Sequence, residues 1–365
     1  MRSTARAAIL ATIASIAAAG QSEQIPLNSL RNGRPTSQHD GPVDFSESPT
    51  EHLETPKLSS INATAWEQWE FDGTAESGMS GIIMGFSRDP SYPFFGQGNL
   101  RVEFYMALED GTVIQELDHL KQSTIITCDG SVTGVPTDMS RAKVWWATPR
   151  SKGSLTMFSD TLPHLADGKL WPAEAGTVEM SPSLYLNQPI AGGRVVVDHT
   201  LGKQRLQFTG RGGHGRVWAK DSWFKLFKDG ELLVGTAKGD PSATEDYVLL
   251  TNDFSGNVSG SLADRSTGQV VHFVSPSQGK TWRFELQHKR RKFNMGLGGG
   301  LGLSGFTGSV TGGEVGEEDF RGMGFAEQAA LPMEVKQWQI WIVYGIGLLG
   351  EWRNFFFNLA TSILG

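Results

Sequence analysis

The sequence predicts an all-β chain of two β-barrel or sandwich domains, and three features carry that prediction. Apolar residues recur at every second position in several short runs. Forty-five glycines and 16 prolines interrupt them at turn-like spacing. No strand–helix–strand rhythm or long amphipathic helical pattern appears, which excludes a dinucleotide-binding α/β fold.

Residues 1–19 read as a secretory signal. Arg2 and Arg6 give a positive start, Ala7 to Ala19 is small and apolar, and Ala17 and Ala19 suit a signal-peptidase site. The expected location is therefore the secretory pathway or outside the cell. The sequons Asn62-Ala63-Thr64 and Asn257-Val258-Ser259 would then be glycosylation sites. Residues 20–57 are polar and punctuated by Pro26, Pro35, Pro42, Pro49 and Pro56, the composition of an extended leader with no core of its own.

Strand signals follow. In the run 100–108, Leu100, Val102, Phe104, Met106 and Leu108 are all apolar, a clean period of two. Runs 205–208 and 282–288 alternate in the same way, and Val195 to Val197 is β-branched. Lys228-Asp-Gly-Glu231 has the composition of a hairpin turn. Gly296 to Gly305 reads as a flexible linker or a lid. These signals divide the chain into a first β domain over 58–220 and a second over 221–332. An apolar tail follows over 333–365. Within it, 338–357 is either an element packed on the domains or a helix at a membrane surface. Glu351 and Arg353 fall inside the length a true span would need.

Composition narrows the function. The net charge of −7 disfavours a polyanionic partner such as nucleic acid. The basic cluster Lys289-Arg-Arg-Lys292 reads as a solvated strand end. Cys128 is the only cysteine, and the eight histidines show no ligand spacing, so no metal site is expected. There is no Gly-x-Ser-x-Gly elbow. Gly300-Leu-Gly-Leu-Ser-Gly305 matches a dinucleotide fingerprint in letters but follows a basic strand end and precedes no helix or acidic ribose ligand.

Two stretches carry candidate chemistry. In Trp66-Glu-Gln-Trp-Glu-Phe-Asp-Gly73 a strand would send Glu67, Trp69 and Phe71 to one face, and Trp66, Gln68, Glu70 and Asp72 to the other. Each face then holds an indole and a carboxylate. Buried carboxylates need partners, and a ligand cavity on one side would account for the pattern. The second stretch, 210–223, combines glycines that allow close backbone approach with His214, Arg216, Trp218 and Trp223.

Together these motifs resemble the fungal lipocalin-like Diels–Alderases, pericyclases that form decalins and isoindolones in polyketide–amino acid hybrid pathways. The similarity extends through Ser181-Pro-Ser-Leu-Tyr185, Gln188-Pro-Ile190, Val258-Ser-Gly260, Asp264-Arg265, Trp282, Phe284 and His288 to Gly322 and Gly324, covering roughly 58–325. The chain departs from the pattern at Gly215 and Gly308, where relatives often carry an acid. The resemblance implies two lipocalin-like domains with a small-molecule substrate between them and no cofactor. It implies a stereoselective intramolecular [4+2] cycloaddition of a linear polyene attached to a tetramic acid or pyrrolone. Glu67, Asp72, His214 and Arg216 are then the candidate catalytic set, with His214 and Arg216 as donors to the enolised dicarbonyl. Trp66, Gln68, Trp69, Glu70, Tyr185, Trp218, Trp223 and Trp282 are candidate substrate-binding residues. Two alternatives stay open: a lipocalin-like carrier that uses the same pocket to bind an apolar ligand unchanged, and, from a more distant likeness to carotenoid hydratase-like proteins, a hydratase or isomerase using an acid–base pair such as Asp72 and His214.

Overall fold

The computed structural model describes residues 22–28, 30–31, 34–35, 41–62, 64–89, 100–119, 122–128, 141–147, 151–221, 226, 229–238, 246–252, 268–275, 280–298 and 301–330. The expectations for 1–19, 333–365, Trp223 and Asn257 lie outside these residues. Strands dominate, in chain order β1 (Ser22–Asn28), β2 (Leu30–Arg31), β3 (Arg34–Pro35), β4 (Trp66–Ala75), β5 (Gly81–Arg88), β6 (Leu100–Ala107), β7 (Val113–His119), β8 (Gln122–Cys128), β9 (Arg141–Ala147) and β10 (Ser151–Ser159). Then come β11 (His164–Leu165), β12 (Glu179–Ser181), β13 (Leu184–Leu201), β14 (Gln204–Ala219), β15 (Asp229–Lys238), β16 (Asp246–Asn252), β17 (Gly268–Ser275), β18 (Lys280–Gly298), β19 (Leu301–Glu314) and β20 (Phe320–Ala330).

The first sheet runs β7-β6-β5-β4-β14-β13-β10-β9, with β11 and β12 added on β13. It curls so that side chains from all eight strands of that path meet in one buried cluster, among them Phe71, Met84, Phe104, Trp146, Met157 and Val197. The period-two run shows why. Leu100, Val102, Phe104 and Met106 point inward, while Arg101, Glu103 and Tyr105 between them point outward. Each fully buried apolar side chain of this kind stabilises the fold by about 1.5–3 kcal/mol. The second sheet runs β16-β15-β20-β19-β18-β17 around Phe284, Leu286, Val310 and Ala326, with Trp282 and Phe320 packed against them. The fold is thus all-β with two sheet units, as the sequence predicts.

Four local expectations differ. Asp229 and Gly230 do not make a turn: they open β15 and pair with Ala330 and Ala329, because the chain enters the second sheet there. The glycine run is neither linker nor lid. It closes the β18–β19 hairpin, with Gly296 opposite Gly302 and Gly298 opposite Leu301. The basic cluster is not simply solvated. Lys289 Nζ donates to Ser77 O at 3.1 Å, Arg290 Nη2 donates to Glu109 O at 3.0 Å, and Lys292 is fully buried against the first sheet.

The fourth difference is the supposed leader. Residues 41–62 form a strap over the first sheet. Ser46 N–H donates to Lys57 O and Ser59 N–H to Asp44 O, closing the ends of a compact loop. Its own Leu53, Leu58 and Ile61 are buried. Asn62 ends the strap as a turn residue. Its Oδ1 accepts the Thr64 and Ala65 N–H groups, and its Nδ2, the atom a glycan would need, donates to Gly41 O at 2.9 Å.

One core residue breaks the apolar rule. His199 is fully buried between Phe104 and Trp146, with ring centroids 5.5 and 5.0 Å away, and neither of its nitrogens has a hydrogen-bond partner among the described residues. Burial pushes it down to about 4, only partly opposed by the Asp198 charge. The unfolded chain therefore takes up the proton first, and stability is lost as pH falls from about 6.5 to 4. His199→Phe should remove that slope and add about 1–3 kcal/mol at neutral pH. Urea denaturation at pH 7.5 and 5 tests this, and an unchanged slope would contradict it.

Candidate active site

β4 lies between β5 and β14, so its two faces are set by register. Glu67 stands opposite Trp218 and Arg88, Trp69 opposite Arg216 and Phe86, and Phe71 opposite His214 and Met84. These residues share the inner face. Gln68 stands opposite Val217 and Ser87, Glu70 opposite Gly215 and Gly85, and Asp72 opposite Ile83, on the outer face. The alternation read from the sequence holds, but the two faces do different work.

The inner face holds the strap. Glu67 Oε2 accepts the Lys57 backbone N–H at 2.7 Å and Arg216 Nη2 at 3.1 Å. Its Oε1 accepts Arg88 Nε at 2.6 Å. Arg216 Nη1 donates to Leu53 O and Thr55 O at 2.8 and 3.0 Å, and its guanidinium lies 3.8 Å over the Trp69 ring. Arg88 Nη2 donates to Leu58 O at 2.6 Å. His214 stacks on Phe71 at 3.9 Å, with Nδ1 2.8 Å from Glu70 O and Nε2 2.7 Å from Glu54 Oε1. Burial alone would raise the Glu54 carboxyl. The charge and hydrogen bond of His214 and the Arg216 charge outweigh it and hold Glu54 down at about 2. Its contribution to stability is present above about 4.5 and lost as pH falls toward 2. A carbonyl can only accept, so His214 donates from Nδ1 to Glu70 O.

Four further candidate rings are also engaged, two of them with the strap. Trp66 is buried with Leu184 and Ala219 and donates to Asp221 O at 2.9 Å. Trp218 donates to Ser46 O at 3.0 Å and stacks on Tyr185, whose hydroxyl donates to Glu47 at 2.8 Å. Trp282 lies in the second sheet's own cluster. The structure therefore brings Glu67, Trp69, His214, Arg216, Trp218 and Tyr185 together as anchors of the strap, and separates Trp66 and Trp282 from them.

The outer face is different in kind. Gln68 and Glu70 are half-buried, and Gln68 Nε2 donates to Glu70 Oε2 at 3.0 Å. Glu70 stands in a cross-strand row between Gly215 and Gly85, with Glu103 opposite Gly85 on β6. The glycines leave a floor without side chains. A Cβ at Gly215 would meet only Asn187 O, at 3.9 Å, and one at Gly85 would come 3.2 Å from the Gln68 amide nitrogen. Glu103 accepts the Tyr105 hydroxyl at 2.8 Å and pairs with Arg101. Asp72 is buried, with Oδ1 accepting Gly213 N–H at 3.1 Å. Burial pushes its carboxyl up to about 6 despite the Lys292 charge, the Gly213 hydrogen bond and the His214 charge. The second sheet approaches this face: Tyr105 packs on Phe293 at 4.7 Å, β18 runs against β5, β6 and β7, and β20 runs beside β4 and β14. Among the described residues no three His, Cys, Asp or Glu side chains converge to hold a metal ion.

Gln68, Glu70 and Asp72 were readable from the sequence. Glu103, Tyr105 and Gly85 were not, although Glu103 and Tyr105 occupy the outward positions of the same alternating run whose inward positions mark β6. Asp72 and His214 sit on opposite faces of β4, so they do not form an acid–base pair around one space.

The comparisons with known proteins agree with this architecture. A family model described as Diels-Alderase-like matches residues 27–228 and 224–332. The chain is 51% identical to Diels-Alderase mycB of Thermothelomyces thermophilus and 42% identical to hexane cyclase pydB of Acremonium sp, in both cases over 89% of this chain and 87% of the relative. The crystal structure of CghA with Sch210972 superposes with a TM-score of 0.61 at 22% identity, over 84% of this chain and 99% of that one, a likeness of fold. With both sheet units inside the matched residues, the chain belongs to the Diels-Alderase-like family and is an enzyme of the pericyclase class.

Proposed function

We propose that this enzyme closes a ring in a linear polyene attached to a tetramic acid or pyrrolone, by an intramolecular [4+2] cycloaddition that needs no cofactor, in fungal secondary metabolism. One observation carries the reading: the half-buried Gln68–Glu70 pair over a glycine floor, on the sheet face turned toward the second unit. The names of the relatives, Diels-Alderase and hexane cyclase, support ring formation.

The reaction converts two π bonds into two carbon–carbon σ bonds, gains and loses no atoms, and transfers no net electrons or protons. The protein has two tasks. The first is to fold the chain so that diene and dienophile meet, which is worth up to about 7–11 kcal/mol in favourable models and less here, because the reactants are already tethered. The glycine floor and the apolar Ile83 and Tyr105 beside it suit a flat polyene. The second is to withdraw electrons from the dienophile through its carbonyl. A carboxamide carries two N–H donors. One of Gln68's goes to Glu70, which fixes the amide's orientation, and the other serves the substrate carbonyl. A neutral donor suits this role, since it stabilises developing charge without attracting a proton.

Purified protein given the linear polyene should yield a product of unchanged mass as a single stereoisomer. A gain of water would instead indicate a hydratase, and unaltered ligand a carrier. Gln68→Leu should slow ring closure by roughly 10- to 100-fold, about 1.4–2.8 kcal/mol, with little change in thermal stability. Unchanged turnover in that variant would remove Gln68 from the mechanism.

A further inference from the structure

Lys292 belongs to the second sheet, yet it ends inside the first. It is fully buried, and its Nζ lies 3.4 Å from Thr74 Oγ1 on β4. It lies across Gly81, where a Cβ would come 2.5 Å from Lys292 Cε, 2.9 Å from Thr307 Cγ2 and 3.0 Å from Gly73 O. Thr307 reinforces the contact by donating to Gly78 O at 2.8 Å. This notch is the place where the two units interlock. Thr74 and Asp72 project from the same face of β4, two residues apart. Ring closure uses none of these groups directly, and a buried ammonium is costly unless it acts on something.

We propose that Lys292 is a positioning residue for the ring closure: seated in the Gly81 notch, it holds Asp72 and the outer face of β4 in fixed relation to the second unit. The inference rests on the reading that the substrate lies on that face. Four groups surround Asp72, three on its own face and His214 as a charge on the other face of the sheet. Lys292 comes from β18, His214 from β14, Tyr105 from β6 across Ile83, and Glu70 from β4 itself. Lys292 supplies the largest of the effects that favour the ionised Asp72, ahead of the Gly213 hydrogen bond and the His214 charge. Without it, burial acts on the carboxyl with less opposition. Asp72 would then take up a proton, and the spacing between the face and the second unit would lose its tie.

The test has two arms on the whole chain. In protein carrying carbon-13 at the aspartate carboxyls, with Asp72→Asn for assignment, the Asp72 titration is followed in the wild type, Lys292→Met and Lys292→Arg. The methionine variant should move the midpoint upward by about one unit or more, and the arginine variant should stay near the wild type. In the second arm the linear polyene is supplied. Lys292→Met should lower kcat about tenfold with KM little changed, and a second stereoisomer should appear. Should Lys292→Met fail to fold, Thr74→Val removes the hydroxyl partner at nearly constant volume and should give the same two changes in smaller measure. An unmoved titration overturns the proposal, and so does a single unchanged stereoisomer at full rate. If the wild type itself forms no ring, the functional reading falls, and the titration alone then decides whether Lys292 holds Asp72.

Discussion

Glu67→Gln is expected to cost about 3–5 kcal/mol of folding stability, the range for removing one partner of a buried ion pair. The size follows from what converges on this carboxylate: the Lys57 N–H, Arg88 and Arg216, all around a fully buried side chain. Burial and the neighbouring Arg88 push the Arg216 guanidinium down, while Glu67 and Glu54 push it back up. An amide in place of Glu67 would leave two buried guanidiniums with no charge between them. The strap should loosen first, since Leu53, Thr55 and Leu58 are held through those same arginines. Urea unfolding measures the loss. Replacing Glu67, Arg88 and Arg216 together with leucine, leucine and methionine should recover much of it, because an apolar set of similar volume carries no desolvation penalty. If Glu67→Gln unfolded at the wild-type midpoint, the network would be ornamental.

Gly212→Ala should be of similar size, by steric means. A Cβ at Gly212 would be driven into the backbone carbonyl of Asp72 on the adjoining strand. No side chain is available to swing aside, so β14 and β4 must separate, at about 3 kcal/mol or more. The same displacement pulls Gly213 N–H away from Asp72, so ring closure should fall along with stability. Gly215→Ala, three residues on, is the control. It meets only Asn187 O at 3.9 Å and should leave the melting temperature within about a degree or raise it slightly. Equal losses at the two positions would refute the argument from close backbone approach. Gly308 also departs from the family pattern, but for a different reason: a Cβ there would enter the Gln287 carbonyl, so an acid does not fit this backbone.

Much of the fold was legible because alternation is local. Leu100 to Leu108 declares its strand and its inward face within nine residues, and Trp66 to Asp72 declares both faces of β4. What the sequence does not reveal is the identity of partners far along the chain. Arg88 and Arg216 lie 21 and 149 positions from Glu67. A buried, well-paired carboxylate and a ligand-facing one therefore look the same in the primary structure. The strap was hidden for the same reason: its prolines and polar residues read as disorder until the inner face of β4 and β14 supplies partners. Lys292 read as solvated because only the fold brings Gly81 and Thr74 beneath it. The Gln68–Glu70 pair was legible as a candidate, but its glycine floor comes from two other strands, β5 and β14.

The place of β4 in the sheet has a consequence for how the protein is made. One of its neighbours, β5, follows directly, but the other is β14, whose Ala219 pairs with Trp66 about 150 residues later. At translation speeds of about 5–20 residues per second, that partner emerges roughly 8–30 s after β4. Through that interval the indoles of Trp66 and Trp69 have no sheet to close over them. This chain should therefore depend on chaperones during synthesis, and a nascent polypeptide stopped short of residue 219 should be readily degraded.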